Sequence, residues 1–273
     1  MFDKKVMKRI EEHAAATYEV LSDPEQMLFI ALQGSQNYDL AYEGSDVDSK
    51  CIILPLFKDI VYNKKPISTT HIMENEEHID LKDIRLMFDC FRKQNINFIE
   101  ILFSEYNICN ENYKEEWSPM IENRELIARY NPYRAVKCIK GMALEKYHAL
   151  KHPYPAKKEI LEQFGYDPKQ LHHIFRMFYF LEGYSQDYSY IDCLKIKNKR
   201  KGIKQNLLEV KKGKYNLKEA EYIAESMIKN IEFIADNFCS SHNDAPNEKV
   251  ENLLGEVKYN ILKKAFKKEI CSK

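Results

Sequence analysis

Val6, Ile10, Ala14 and Tyr18 recur at helical spacing in the opening segment. That pattern predicts an amphipathic helix ending before Ser22-Asp23-Pro24, with its apolar side laid on the elements that follow. Those elements have another period. Residues 27–32 form an unbroken apolar run, Gly34-Ser35 ends it, and residues 50–54 resume extended character, which reads as strand, turn, strand. His78-Ile79-Asp80-Leu81 alternates as a further short strand and runs directly into Ile84, Met87, Phe88 and Phe91 at helical spacing. Residues 96–103 close this region as a short helix or turn. After Tyr106 the pattern becomes helical over residues 132–150, 157–164, 168–184 and 217–237. The expected fold is α/β in the broad sense (α+β). A short mixed sheet flanked by helices fills residues 1–105, and an all-helical domain fills residues 106–273. Disorder is expected only in the tail after Ala265 and the loop near residues 240–247.

The chemistry concentrates at residues 33–55, QGSQNYDLAYEGSDVDSKCIILP. Strand side chains alternate, so Asp46 and Asp48 project to one face with Cα atoms roughly 6.5 to 7 Å apart. Two carboxylates aimed at one point repel unless a cation lies between them. Mg²⁺ suits them: it takes oxygen ligands, keeps several waters, and is held by one or two carboxylates plus substrate phosphates. Gly34 lacks a Cβ and so lets a phosphate approach the backbone, while Ser35 offers an N–H and a hydroxyl at the strand end. Asp80, between apolar neighbours, is the candidate third carboxylate, with Glu77 and Asp83 near enough in sequence to compete.

The combination of Gly34-Ser35, Ser45-Asp46-Val47-Asp48 and an isolated strand bearing Asp80 resembles the nucleotidyltransferase superfamily of DNA polymerase beta type. A closer likeness is to the predicted nucleotidyltransferases associated with RNA repair. It is carried by Tyr38 after the Gly-Ser, by Asn97 ahead of Glu100-Ile101-Leu102, and by Gly165-Tyr166-Asp167-Pro168-Lys169. The likeness covers about residues 27–105 and 159–182. It departs from the pattern at Asp39, where such proteins commonly carry glycine. The resemblance implies a polymerase-beta-type catalytic domain that transfers a nucleoside monophosphate from a nucleoside triphosphate, ATP included, to a hydroxyl acceptor, with RNA as one possible acceptor. Asp46, Asp48 and Asp80 would be both catalytic and metal-binding, holding two Mg²⁺ or Mn²⁺ ions about 3.5 to 4 Å apart. Gly34, Ser35 and Tyr38 would bind the nucleotide. The rival reading keeps the fold as a non-catalytic nucleotide sensor or interaction module.

In the helical half, Asp167-Pro168 reads as a helix start. Lys169, His173 and Arg176 then fall at i, i+4 and i+7 on one helix face, with His172 beside them. Positive groups there are candidates to stabilise charge on a transferring phosphate. The densest basic run is Lys195, Lys197, Lys199, Arg200, Lys201 and Lys204, either a solvated loop or a nucleic-acid contact.

Composition narrows the rest. The 42 basic and 42 acidic residues cancel, which argues against a whole-molecule electrostatic grip on nucleic acid. Seven cysteines without a C-x-x-C pair read as reduced thiols and argue against structural zinc. No apolar run approaches membrane-spanning length, and the charged start is unlike a signal peptide, so a cytoplasmic protein without membrane partners is expected. Walker, Rossmann, zincin and nucleophile-elbow motifs are absent from the sequence.

Overall fold

The computed structural model describes residues 3–21, 23–42, 45–197 and 202–271. Among them, five strands form one mixed sheet and the other regular elements are helical, an α+β arrangement. The chain divides into two units. Residues 1–37, 43–131 and 246–273 make the first, and residues 38–42 and 132–245 the second.

The first unit opens with α1 (Lys4–Val20), whose N-cap Asp3 accepts the Lys5 N–H at 2.8 Å. Its Val6, Ile10 and Ala14 pack against Ile30, Leu32, Cys51 and Leu81 on one face of the sheet. Each large aliphatic side chain buried there contributes about 1.5–3 kcal/mol. The strands are β1 (Met27–Gln33), β2 (Asp48–Ile53), β3 (Ser68–Ile72), β4 (His78–Asp83) and β5 (Asn107–Cys109), with α2 (Phe57–Val61) between β2 and β3. Their spatial order is β3-β4-β2-β1-β5. β2 and β4 run parallel, and the other neighbours are antiparallel. The parallel pair forces a crossover, which α2 and β3 supply.

Asp83 ends β4 and caps α3 (Ile84–Arg92), accepting the Arg85 N–H at 2.9 Å. The strand-to-helix transition read from the sequence therefore occurs without a loop. α3 buries Met87, Phe88 and Phe91, and α4 (Ile96–Ile99) continues into a 3-10 turn over Glu100–Phe103. α5 (Lys114–Glu122) brings Trp117 to 4.9 Å from the Phe29 ring, and α6 (Arg124–Ile127) follows.

The second unit comprises α7 (Pro132–Ala149), α8 (Lys158–Phe164), α9 (Pro168–Tyr184), α10 (Tyr190–Lys195), α11 (Ile203–Lys211) and α12 (Leu217–Ser241). α7, α9 and α12 pack on one another, with Ala220 and Ala224 fully buried along α12. α8 stops at Gly165, which takes φ +77°. Asp167 then caps α9, as the Asp-Pro pair suggested.

Two boundaries differ from the expected ones. The division falls after residue 131 rather than 105, because β5 pairs with β1 and Trp117 covers Phe29. Residues 266–271, in the tail expected to be disordered, are helical. α13 (Glu248–Cys271) returns to the first unit, where Glu251 meets Arg92 at 2.9 Å and accepts the Tyr130 hydroxyl at 2.7 Å, and Phe266 lies 5.5 Å from Phe57. The expected loop near residues 240–247 is shortened by α12, which runs to Ser241.

Candidate functional site

Strand register builds the site. β1 and β2 pair Gln33 with Asp48 and Ala31 with Lys50, β2 and β4 pair Lys50 with Asp80, and β3 and β4 pair Thr70 with Asp80. Partners in register share a face, so Gln33, Asp48, Lys50, Asp80 and Thr70 form one polar row on the side of the sheet away from α1. Val47 and Ser49 point the other way: Val47 belongs to the core under α1, and the Ser49 hydroxyl lies 2.8 Å from His13 Nδ1. Asp46 and Asp48 thus flank a core-anchored valine. Asp46 is exposed, and Asp48 Oδ1 accepts the His78 N–H at 3.0 Å.

Asp80 is engaged from several directions. Lys50 Nζ donates to its Oδ2 at 2.6 Å, and the Thr70 hydroxyl donates to its Oδ1 at 2.8 Å. Burial works to raise the Asp80 pKa, but the Lys50 ammonium, with Thr70 and Gln33, outweighs it and holds the carboxyl below its ordinary value. The Lys50 side chain is only 5% exposed, and its ammonium lies 4.5 Å from the Phe98 ring centroid. A cavity of about 120 Å³ opens beside these groups, lined by Ser68, Thr70, Asp80, Lys82 and Phe98. The larger cleft between α5 and α13 is lined by Glu115, Glu116, Lys263 and Lys264 and reads as a solvated helix pair.

Register therefore brings Asp48 and Asp80 to one face, with Lys50 beside Asp80. Among the described residues, no three His, Cys, Asp or Glu side chains are gathered closely enough to hold a metal together. By donor chemistry, Asp46 and Asp48 fit one hard cation that keeps waters and takes phosphate oxygens. The sequence competitors of Asp80 face elsewhere. Asp83 is held by Arg85 at 2.6 Å, and Glu77 turns toward α1, where it accepts from Arg9, from His13 Nε2 at 3.0 Å and from the Val47 N–H at 3.3 Å.

The Gly-Ser bend lies at the end of β1, next to Gln33. Gly34 has φ +88°, and a Cβ built there meets no atom within 4 Å, so open space lies over the backbone. Its N–H donates at 3.3 Å to Glu100, a carboxylate only 2% exposed. Ser35 begins a 3-10 turn, Ser35–Tyr38, which Asn37 pins by donating to the Leu32 carbonyl at 2.7 Å.

In the second unit, Tyr38 is buried, with the Arg176 guanidinium 4.2 Å from its ring centroid. The stripe expected on α9 grades inward: Lys169 is exposed, His173 half-buried and Arg176 buried. Desolvation pushes the His173 pKa well down, with Arg176 adding to the effect, so this ring is neutral near pH 7. His172 is likewise pushed down, to about 4, chiefly by burial, and its Nδ1 donates to the Leu207 carbonyl at 2.9 Å. Asp39 takes φ +57°, the left-handed conformation for which glycine is the easier residue. Its carboxylate meets Lys204 at 2.9 Å and Lys195 at 3.9 Å, which gives the departure from glycine a physical role. Lys197 pairs with Asp192, while Lys199, Arg200 and Lys201 lie outside the described residues. Tyr166, Tyr184 and Tyr190 are buried core aromatics.

Sequence reasoning missed Lys50, Thr70, Phe98 and the His13–Glu77 pair. Lys50 carried a signal, standing two residues beyond Asp48 on the same strand face. The others are brought in by strands and helices remote in sequence. No protein-family model matches this chain, and no curated protein matches it.

Proposed function

We propose that the protein is a nucleotidyltransferase of polymerase-beta type, moving a nucleoside monophosphate from a nucleoside triphosphate to a hydroxyl acceptor, an RNA end among the candidates. One observation carries this reading: Asp48 lies on the same sheet face as Asp80 and beside the open Gly34 backbone, with Asp46 just ahead of the strand on the other side of the core-anchored Val47. In the proposed reaction the acceptor oxygen attacks the α-phosphorus. A new P–O bond forms, the bond to the β-phosphate oxygen breaks, and pyrophosphate leaves with that electron pair.

Asp46 and Asp48 would hold Mg²⁺ or Mn²⁺, which when bound supplies positive charge to the triphosphate and acidifies the acceptor hydroxyl. The residues themselves do the rest. The 3-10 turn at Ser35 presents backbone N–H groups and a hydroxyl toward phosphate, and Gly34 leaves that approach clear. Asp80 sits at the acceptor side, where it orients the attacking hydroxyl and receives its proton.

A second reading, nucleotide binding without turnover, draws on the ion pair that engages Asp80 with Lys50. Incubation with each α-labelled triphosphate, Mg²⁺ or Mn²⁺, and pooled RNA, protein and metabolites separates the two. Label in an acceptor fraction supports transfer, and triphosphate binding by calorimetry without label in any fraction supports the binding module. Asp46→Asn is expected to abolish transfer while leaving the metal-free protein as stable as wild type or slightly more so, since an exposed repelling charge is lost. Transfer retained in that variant overturns the assignment.

A further inference from the structure

Asp80 is not a vacant ligand. Its Oδ2 accepts from Lys50 at 2.6 Å, its Oδ1 accepts from Thr70 at 2.8 Å, and Gln33 adds a further side-chain hydrogen bond. Lys50 is fixed in turn. It is a central-strand residue paired with Ala31 on one side and Asp80 on the other, 5% exposed, with its ammonium under the Phe98 ring. Lys50, Thr70 and Gln33 already engage most of the roughly four acceptor sites of the Asp80 carboxylate, so a divalent cation binding it at about 2.0–2.1 Å would compete with the Lys50 ammonium for Oδ2. It would also leave the ammonium buried beside a like charge, with its hydrogen bond lost. Asp46 and Asp48 carry no such obstacle: the first is exposed, and the second accepts a backbone N–H and stands beside His78.

We propose that the Lys50 ammonium stands in for the second metal ion, so that this protein works with one divalent cation, held by Asp46 and Asp48, and a built-in cation at Asp80. The inference rests on the nucleotidyl-transfer reading of the same face and replaces the two ions expected from the resemblance with one. Lys50 is a positioning residue: it fixes the Asp80 carboxylate and sets the charge there without being lost to solvent. Lys82, 5.2 Å from the same Phe98 ring and donating to Ser68 at 2.7 Å, adds positive charge next to it.

The test counts metal. Mn²⁺ bound per full-length protein is measured by equilibrium dialysis and electron paramagnetic resonance, with a saturating non-hydrolysable nucleoside triphosphate analogue. The expected count is one for wild type, one for Lys50→Arg, which keeps the charge, and two for Lys50→Met, which frees Asp80. Two ions in the wild type, or one in Lys50→Met, overturns the inference while leaving nucleotidyl transfer intact. Failure to bind the analogue or any Mn²⁺ overturns the transfer reading itself. Should Lys50→Met fail to fold, Asp80→Ala decides: an unchanged count of one is expected, and loss of the bound ion makes Asp80 a metal ligand and overturns the inference.

Discussion

Glu77 is the residue whose removal tests how the two aspartates are positioned. Its Oε2 accepts from the Arg9 guanidinium and, at 3.0 Å, from Nε2 of the fully buried His13. Its Oε1 accepts the N–H of Val47, the residue between Asp46 and Asp48. Assigning the His13 proton to Nε2 satisfies the whole network, since Nδ1 then accepts from the Ser49 hydroxyl. Glu77→Ala leaves the His13 and Val47 donors buried without an acceptor, at about 1–3 kcal/mol each. The Arg9 pair adds little because the Arg9 side chain is partly exposed and keeps Glu12 as a partner. The expected loss, from two buried donors left without an acceptor, is about 2–6 kcal/mol. Glu77→Gln keeps one acceptor oxygen and lets His13 switch tautomer, so its expected loss is about 1–2 kcal/mol. Urea denaturation at pH 7 reads both, and Mn²⁺ titration should show weaker binding in Glu77→Ala than in Glu77→Gln. Burial works to raise the Glu77 pKa, but Arg9, His13 and Asn75 hold it below its ordinary value. The carboxylate therefore contributes stability above its unfolded pKa, and that contribution is lost as pH falls through the lower folded pKa. The gap between wild type and Glu77→Gln should accordingly narrow in acid. A Glu77→Ala loss under about 1 kcal/mol, or equal losses for the two variants, would refute the reasoning.

Two further outcomes follow from other positions. His172 titrates at about 4 in the folded chain against an ordinary value near 6.5, so it favours folding above pH 6.5 and loses that contribution as pH falls toward 4. The difference is worth about 3 kcal/mol. His172→Asn, which keeps a donor for the Leu207 carbonyl, should lose correspondingly less stability than wild type between pH 7 and pH 4 in denaturant titrations, and parallel curves would refute the assignment. Gly34→Ala should destabilise by about 1–2 kcal/mol because φ is +88°, and should weaken triphosphate binding because the new Cβ enters the open space over the bend. Unchanged affinity in calorimetry would remove the phosphate cradle from the proposal.

Much of the frame was legible because it depends on local periodicity. α1, β1, β4 and α9 follow from the spacing of apolar residues and from breakers, and Asp167 capped α9 for a reason visible in the Asp-Pro pair. β3 and β5 escaped notice, being short edge strands of five and three residues without an apolar run. The last turns of α13, after Ala265, were expected as a disordered tail. The order of α13 depends on Arg92, Tyr130 and Phe57, all remote along the chain. Glu77 was a plausible rival to Asp80 by position, and the alternation of β4 separates them: Ile79 and Leu81 face α1, while Asp80 faces Lys50.

The sequence by itself determined which residues of β2 share a face, and so set Asp48 and Lys50 opposite the buried Ser49 and Cys51, because a two-residue period is a property of extended backbone alone. Only the tertiary structure decided what each carboxylate meets. The parallel register of β2 against β4 sets Lys50 against Asp80, and the packing of α1 sets His13 against Glu77. Those are encounters between residues about thirty and sixty positions apart, fixed by hydrogen-bond ladders and core packing that no local pattern contains.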